Sequence, residues 1–381
     1  MVESKRPRIL MVTRNMPPLV GGMERLNWHM AEQLSRYVDV KVIGPTGASK
    51  LAPSGVDVHE VPLTPLWRFL AAAQIATLWQ ALRWRPNIIL AGSGLTALPV
   101  RIASWMTGAR AVAYVHGLDI VAQHWIYRCA WLPALIHMDR VIANSRATVA
   151  LAQNNGINAS HIGVVNPGVD LGIAEGEPIA IERFRDRHLL YGRVVLLSLG
   201  RLSERKGLRE FVIMCLPAIV ARCPDVLLLI AGAEPKHALN SISQSPESIL
   251  AAAREYGVAD NVRFIGAIGD AEAAAAFEVA DVYIFPIREL PNDPEGFGMV
   301  AIEAAAHGVP TVAFAAGGVT DAVAEGKSGF LVAPGDYSSM VDKVIKAIDV
   351  KASLRSSAMD FARGFSWPLF GQKIMDELFN R

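Results

Sequence analysis

The chain has 381 residues, which is enough for two or three domains of about 150 residues each. Hydrophobic residues make up 52% and charged residues 19%, a composition that excludes a disordered or low-complexity protein. The 37 basic and 36 acidic residues leave a net charge of +1, so the composition implies no general attraction to nucleic acid.

Membrane-spanning helices are not expected. The apolar, uncharged runs 69–82, 86–100 and 304–320 are each shorter than the roughly 20 apolar residues that a spanning helix needs. The first residues are charged and lead into a strand-like run, without the apolar region of a signal peptide. We therefore expect a cytoplasmic protein.

Short aliphatic runs alternate with longer helical segments along the chain, which is typical of doubly wound α/β domains with parallel sheets. In the first half, helices are predicted at 23–36 and 66–85, between strands at 9–13, 38–43, 87–91, 111–115 and 140–143. In the second half, helices are predicted at 208–221 and 271–280, between strands at 194–199, 226–231, 261–265, 281–285 and 311–314.

After residue 170 the sequence becomes charged and lacks a strand-like run, and a second series of strands and helices follows. This pattern predicts two such domains in tandem. We expect an N-terminal domain over 1–170, a charged linker over 171–192 and a C-terminal domain over 193–365. The last segment, 366–381, reads as an amphipathic helix with no strand after it, so it must dock on a domain already formed. Ligands of two such domains are expected in the cleft between them.

Loops that follow strands are the candidate sites, because doubly wound sheets bind ligands at the carboxyl ends of their strands. Gly21 and Gly22 lead into a helix and leave amide groups open to an anion, although an ordinary loop is the alternative. His116 follows a strand and is better placed for a ligand than a core histidine, although it could cap a helix. The segment 92–97 matches a dinucleotide fingerprint only formally, since no acidic residue ends the next strand.

A basic loop follows the first strand of the second half. Between Gly200 and Gly207 it carries Arg201 and Lys206, five positions apart, in the run GRLSERKG at a helix start. An arginine can hold a phosphate with two hydrogen bonds and a lysine adds a point charge, so this loop predicts an anion site. A solvated basic turn is the alternative.

An acidic pair follows a later strand. Glu295 lies in a glycine-bearing loop and Glu303 lies in the helix after it, in the run EGFGMVAIEAAAHGVP. Carboxylates accept hydrogen bonds from sugar hydroxyls, and the glycines leave amides open at the helix start. The neighbours of Glu303 are apolar, so its carboxylate needs a ligand or a partner.

No Asp-x-Asp pair and no complete Walker A loop occurs in the sequence. A carboxylate-held metal on a nucleotide diphosphate is therefore unsupported, and we expect neither a metal site nor a cofactor.

These motifs, in this order, resemble the retaining GT-B-fold glycosyltransferases of family 4, also called group 1, across essentially the whole chain. The most specific element is Glu295-x7-Glu303 joined to the Gly200–Gly207 loop about ninety residues upstream. The loop 288–294 looks like that of the phosphatidylinositol mannosyltransferase branch. The resemblance implies a metal-independent hexosyltransferase that acts on a GDP- or UDP-sugar and a glycan or a polyprenyl- or lipid-linked acceptor.

The resemblance also implies roles for the matching residues. Arg201 and Lys206 would bind the donor diphosphate, and Glu303 would hold the ribose. Glu295 would hold the donor sugar, and His116 would contact it near the reacting carbon. The remaining implied donor contacts are Gly21, Gly22, Gly200, Gly266, Ala267, Gly296, Phe297, Gly298, Met299 and Val300.

The stretch 61–118 contains no Asp or Glu but five arginines and four tryptophans. Such a composition fits a surface that binds an anionic membrane, so we expect a peripheral protein at the inner face of the cytoplasmic membrane. Dispersed surface arginines are the alternative. Alternative activities are a sugar-nucleotide 2-epimerase of the same fold, a nicotinamide oxidoreductase that uses segment 92–97, and a non-catalytic sugar-binding subunit.

Overall fold

The computed structural model describes residues 6–171, 178–234 and 243–379. The chain divides into two units, each with a parallel sheet of its own. The first unit comprises residues 1–168 together with 367–381, and the second comprises residues 169–366. The prediction of two doubly wound α/β domains is therefore confirmed.

In the first unit, the described residues form a seven-stranded parallel sheet with the order β3-β2-β1-β4-β5-β6-β7. Its strands are β1 Arg8–Val12, β2 Asp39–Pro45, β3 Asp57–Val61, β4 Ile88–Ala91, β5 Arg110–Val115, β6 Arg140–Ala143 and β7 Ile162–Val164. The strand order reverses between β1 and β4, so the loops that follow these two strands border the crevice where such sheets bind ligands.

Helices cover both faces of this sheet. They are α1 Gly22–Ser35, α2 Leu66–Trp84, α3 Ala97–Thr107, α4 Leu118–Val121, α5 Leu132–Ile136 and α6 Arg146–Asn154. Helix α2 buries Phe69 and Ala73 in the core with strand residues such as Leu10 and Ile89. Its other residues include large exposed side chains.

The C-terminal helix α15, Trp367–Phe379, packs in the first unit even though the whole second unit precedes it in the chain. The ring of Trp367 stacks on His29, with centroids 4.0 Å apart. Glu377 accepts hydrogen bonds from Arg140, whose Nε lies 2.7 Å from the carboxylate. Aromatic stacking and a partly buried ion pair together fix this helix on its domain.

In the second unit, the described residues form a six-stranded parallel sheet with the order β10-β9-β8-β11-β12-β13. Its strands are β8 Val194–Leu199, β9 Val226–Ala231, β10 Val262–Gly266, β11 Val282–Phe285, β12 Thr311–Phe314 and β13 Gly329–Val332. Its helices are α7 Pro178–Arg187, α8 Leu208–Met214, α9 Leu216–Arg222, α10 Pro246–Glu255, α11 Asp270–Val279, α12 Met299–Ala306, α13 Val319–Ala322 and α14 Tyr337–Arg363. Here the order reverses between β8 and β11.

One predicted helix and three edge strands differ from the prediction. The single helix predicted over 208–221 is two helices that meet at Cys215, because Pro217 starts a new helix and has no N–H to continue the old one. Strands β3, β7 and β13 were not predicted; each lies at a sheet edge, and β3 and β7 are only partly buried.

The predicted linker 171–192 contains a helix. Within its described part, α7 buries Phe184 against the core of the second unit, and Leu190 joins the same cluster. The segment is mostly charged, so the sequence did not indicate that Phe184, in the helix, and Leu190, after it, are buried.

Across the residues that the structure describes, no helix is both long enough and apolar enough to cross a membrane.

Candidate active site

The carboxyl edge of the second sheet brings the basic loop and the acidic loop together. The basic loop, 200–207, follows β8, and the acidic loop, 286–298, follows β11. These two strands are neighbours at the point where the strand order reverses, which is where doubly wound sheets bind ligands. The sheet therefore places the predicted anion site next to the predicted sugar site.

Lys206 and Glu295 are in direct contact. The ammonium Nζ of Lys206 lies 2.9 Å from Oε2 of Glu295. The same Nζ lies 4.5 Å from the centroid of the Phe285 ring, which gives it a second favourable contact on the side of β11. The lysine side chain is thus directed into the site and not into solvent.

Arg205 is a site residue that the sequence analysis missed. Only 7% of it is exposed, and its Nε lies 3.1 Å from Oδ1 of Asp293. Its Nη1 donates a hydrogen bond to Oε2 of Glu295, the same oxygen that Lys206 contacts. The sequence signal was an arginine directly before Lys206 and an aspartate two positions before Glu295, but nothing in the sequence indicated that they pair.

The charges of this cluster depend on one another. Burial would raise the pKa of Glu295, but Arg205 and Lys206 outweigh it and lower that pKa to about 2. Burial lowers the pKa of Lys206, and the neighbouring arginines add to this effect, whereas Glu295 opposes it. Glu295 is therefore a carboxylate at neutral pH and a weak base.

Arg201 is exposed in the same loop, where it lies close enough to act electrostatically on Lys206 and Glu295. A small cavity beside it is lined by both cations, by Gly200 and by residues of β8 and β11. The two cations that the sequence predicted as an anion site therefore border one space.

Glycines form a row along this edge of the sheet. Gly200 directly follows β8, Gly232 directly follows β9, and Gly266 is the last residue of β10. Their φ values are 144°, 150° and 78°. A Cβ at Gly232 would lie 1.8 Å from the carbonyl oxygen of Gly200, so this close approach requires glycine. Gly266 was predicted, with Ala267, as a donor contact, and its carbonyl oxygen accepts a hydrogen bond from the N–H of Gly232 at 2.8 Å. Gly232 itself was not predicted.

The segment from Gly296 to Val300 leads into helix α12, which begins at Met299. Gly298 precedes the helix with a φ of 94°, and a Cβ there would lie 2.8 Å from the Phe285 ring. Phe297 is 3% exposed, so its side chain belongs to the core and only its backbone can reach a ligand. Glu303 lies in α12 and is 8% exposed.

In the first unit, His116 directly follows β5. Its Nε2 lies 3.0 Å from the carbonyl oxygen of Gly92. Because a carbonyl oxygen only accepts, Nε2 carries the proton, and Nδ1 is the ring atom left for a ligand. The carboxylate of Asp119 accepts hydrogen bonds from the N–H groups of His116 and Gly117 at 2.9 and 3.0 Å, which fixes the turn.

The loop 92–97 is too closely packed for a dinucleotide. A Cβ at Gly92 would lie 2.5 Å from Oδ1 of Asn27, and one at Gly94 would lie 2.5 Å from the hydroxyl of Tyr127. The N–H of Gly94 is already bonded to Asp119 at 2.9 Å. These side chains fill the space that a pyrophosphate would need, so the oxidoreductase alternative is disfavoured.

The loop before α1 carries its own anion. Helix α1 begins at Gly22, and Glu24 in its first turn accepts a hydrogen bond from Asn15 at 2.8 Å. A Cβ at Gly21 would lie 2.4 Å from Oε2 of Glu24. An anionic ligand at this helix start must therefore approach beside the Glu24 carboxylate or displace it.

Among the described residues, no group of three or more His, Cys, Asp or Glu side chains is arranged to hold a metal ion.

Two parallel-sheet α/β domains, with a basic loop next to an acidic loop in the second, have the GT-B fold. Residues 20–172 match the family model "Glycosyltransferase Family 4", and residues 193–349 match "Glycosyl transferases group 1". The chain belongs to this family of glycosyltransferases, as its resemblance predicted.

Individual relatives agree with this assignment. The chain is 30% identical to a GDP-mannose-dependent alpha-(1-6)-phosphatidylinositol monomannoside mannosyltransferase of Mycolicibacterium smegmatis, over 95% of this chain and 94% of that protein. The structure of Anabaena HepE with UDP-glucose superposes with a TM-score of 0.77 at 21% identity, over 97% and 99% of the two chains. The structure of a Rickettsia africae glycosyltransferase superposes with a TM-score of 0.81 at 18% identity, over 99% of both chains.

Proposed function

We propose that the protein transfers a hexose, with retention and without a metal ion, from a GDP- or UDP-sugar to a lipid-linked or saccharide acceptor. GDP-mannose is the first donor to test, because the M. smegmatis relative is described as dependent on it. The observation that carries the proposal is the contact of Lys206 with Glu295 at the reversal point of the second sheet.

The donor diphosphate is proposed to bind Arg201 and Lys206. Negative charge grows on this diphosphate as the glycosidic bond breaks, and the two cations stabilise that charge. The backbone amides that precede α12 add donors at a helix start. Glu303, in the same helix, is proposed to accept hydrogen bonds from the ribose.

The donor sugar is proposed to bind Glu295. A carboxylate with a pKa of about 2 stays ionised at neutral pH, so it accepts hydrogen bonds but is a poor nucleophile or base. We therefore favour substitution on the face of the leaving group, with the departing phosphate taking the proton of the acceptor. In the first unit, His116 is proposed to contact the donor sugar near the reacting carbon. The Gly21–Gly22 turn is proposed to bind the diphosphate or the acceptor.

The 2-epimerase alternative requires carboxylates that act as acid and base. Because Arg205 and Lys206 both hold Glu295, its carboxylate does not fit that role. Glu303 is the other acidic residue predicted in the site. The epimerase is therefore the weaker proposal.

A membrane surface is proposed on the first unit. On α2 and α3, Trp67, Trp79 and Trp105 are 68%, 51% and 78% exposed. The guanidinium groups of Arg68 and Arg83 lie 5.8 and 5.6 Å from the rings of Trp67 and Trp79. Exposed tryptophans with adjacent cations suit the interface of an anionic bilayer.

Two residues of the acid-free stretch do not belong to this surface. Trp84 lies between Arg8 and Lys41, whose cations are 5.6 and 5.3 Å from its ring. Arg110 donates to the carbonyl oxygen of Leu378 at 2.6 Å. The candidate surface therefore consists of fewer side chains than the composition indicated.

A ligand screen tests the proposed activity. Thermal shift is measured with GDP-, UDP- and dTDP-sugars, and the stabilising donor is then followed for transfer and for slow hydrolysis. We expect sugar nucleotides of one base to stabilise the protein. Transfer or hydrolysis of the sugar should then release the corresponding nucleoside diphosphate. If no sugar nucleotide binds at millimolar concentration, the proposal is wrong.

A further inference from the structure

Arg205 connects the two loops of the candidate site through its side chain. We infer that Arg205, itself held by Asp293, is a positioning residue that fixes Glu295 so that only its Oε1 is presented to the donor sugar. This inference rests on the proposed function for its substrate, but the geometry on which it depends lies within the second unit.

The cluster is largely buried. The exposed fractions of the Arg205, Asp293 and Glu295 side chains are 8%, 10% and 12%. A buried guanidinium needs compensating charge, and two carboxylates supply it from the loop that follows β11. The backbone N–H of Arg288 also donates to the carbonyl oxygen of Arg205 at 2.8 Å, so main chain and side chain tie the same two loops.

The two oxygens of Glu295 are used differently. Oε2 accepts hydrogen bonds from both Nη1 of Arg205 and Nζ of Lys206. Oε1 makes no hydrogen bond or ion pair with any residue that the structure describes. The carboxylate is therefore oriented by one oxygen and leaves the other for a hydroxyl group.

Lys206 cannot provide this orientation alone. Its ammonium group is a point charge on a flexible stem, whereas the planar guanidinium of Arg205 donates a hydrogen bond to Glu295 and forms an ion pair with Asp293. Lys206 is also proposed to bind the diphosphate, so its charge is shared when the donor arrives. Arg205 is then the cation that stays on Glu295.

The kinetic test compares Arg205→Gln and Asp293→Asn with Arg288→Gln. Arg288 is a matched control, because it ties the same loop through ion pairs with Glu204 and Glu210 at 3.2 and 2.9 Å but does not contact Glu295. Affinity for the nucleoside diphosphate alone is measured beside kcat and KM for the sugar nucleotide.

We expect the diphosphate affinity of Arg205→Gln and Asp293→Asn to stay within about threefold of wild type, while kcat falls by ~30-fold or more. Arg205→Lys should recover part of kcat, and Arg288→Gln should stay near wild type. A parallel loss of diphosphate affinity and kcat, or an unchanged kcat, would overturn the inference. If Arg205→Gln does not fold, Asp293→Asn decides by the same criteria.

A second measurement needs no donor. Carbon-13 NMR of labelled glutamate carboxyls, assigned with Glu295→Gln, follows the titration of Glu295 in the free protein. Arg205→Gln or Arg205→Lys should raise the pKa of Glu295 or move its carboxyl resonance, and Arg288→Gln should do neither. An unchanged Glu295 resonance would refute the positioning role even if sugar transfer is demonstrated. A shifted resonance without any transfer would instead count against the proposed function alone.

Discussion

Nζ of Lys206 lies 2.9 Å from Oε2 of Glu295, although 89 residues separate them in the chain. The contact exists because β8 and β11 are adjacent parallel strands, and the loops after parallel strands leave the sheet at the same edge. A cation suited to a diphosphate and a carboxylate suited to a sugar therefore lie within one hydrogen bond of each other.

The first prediction concerns the two donor cations. Arg201→Ala and Lys206→Ala should each lower turnover by ~10²-fold or more, because a charge that stabilises the leaving diphosphate is lost. Arg201 is exposed, so its loss should leave the melting temperature near wild type. Steady-state kinetics with the donor identified by thermal shift measure the effect.

Arg209→Ala is the matched control, since this exposed arginine lies in α8 beyond the loop. It should retain normal turnover. Near-normal turnover in Arg201→Ala or Lys206→Ala would remove the diphosphate role from the residue concerned.

Much of the fold followed from periodicity, whereas the pairing inside the site did not. Buried strands such as Val194–Leu199 and Val226–Ala231 were predicted with their observed bounds, because continuous aliphatic runs bounded by turns are a strong signal. The edge strand Asp57–Val61 was missed because its sequence, DVHEV, buries little. The local pattern of apolar residues therefore predicts buried strands well and exposed edge strands poorly.

The site shows the same limit. Arg201, Lys206, Glu295 and Glu303 were selected because motif spacing and the family resemblance single them out. Arg205 was not, because its importance depends on Asp293, 88 residues away, and on burial that the charged run SERKG does not indicate. A tertiary ion pair leaves no periodic trace in one sequence.

The second prediction separates the two glutamates. Glu303→Gln should weaken binding of the nucleoside diphosphate itself, because a ribose contact is shared by substrate and product. Glu295→Ala should instead lower turnover of the sugar nucleotide with little effect on the diphosphate. Isothermal titration with the diphosphate and kinetics with the donor distinguish the two.

Glu289→Gln serves as the control, since Glu289 is exposed in the same loop as Glu295. Unchanged diphosphate affinity in Glu303→Gln would show that the ribose is held elsewhere.

The third prediction concerns acid stability. Glu295 has a pKa of about 2 in the folded protein, against an ordinary value of 4.5. A lowered carboxyl pKa contributes stability that is present above the unfolded value and is lost as pH falls through the folded one. The free energy of unfolding of the wild type should therefore fall more steeply between about pH 4.5 and 2 than that of Glu295→Gln.

Urea unfolding at a series of pH values measures this difference, with Glu289→Gln as the control. Parallel slopes for wild type and Glu295→Gln would mean that the carboxylate is not held by Arg205 and Lys206 in solution.

The fourth prediction is that transfer survives EDTA. The sequence has no Asp-x-Asp pair, and Arg201 and Lys206 supply the positive charge that a metal would otherwise bring to the diphosphate. Activity after extensive dialysis against EDTA should equal that of untreated enzyme. An absolute requirement for a divalent ion, restored by adding it back, would contradict the proposal.

The fifth prediction is that the first unit binds anionic membranes through α2 and α3. Trp67, Trp79 and Trp105 are exposed, and the stretch 61–118 carries no acidic residue. Coulombic attraction is screened over ~10 Å at 0.1 M salt, so binding should be strong at low ionic strength and much weaker at high salt. Partial insertion of the tryptophans should leave a smaller component that resists salt.

Flotation with vesicles is the measurement, with anionic and zwitterionic lipids compared at low and high salt. Arg83→Glu with Arg85→Glu should weaken flotation with anionic vesicles, since both side chains are exposed at the end of α2. Arg209→Glu with Arg254→Glu changes the net charge equally, but on exposed positions of the second unit, and should float like wild type. If both double variants lose binding to the same degree, only total charge matters. If the wild type does not float and still glycosylates a soluble acceptor, the arginines of α2 and α3 are dispersed surface charges.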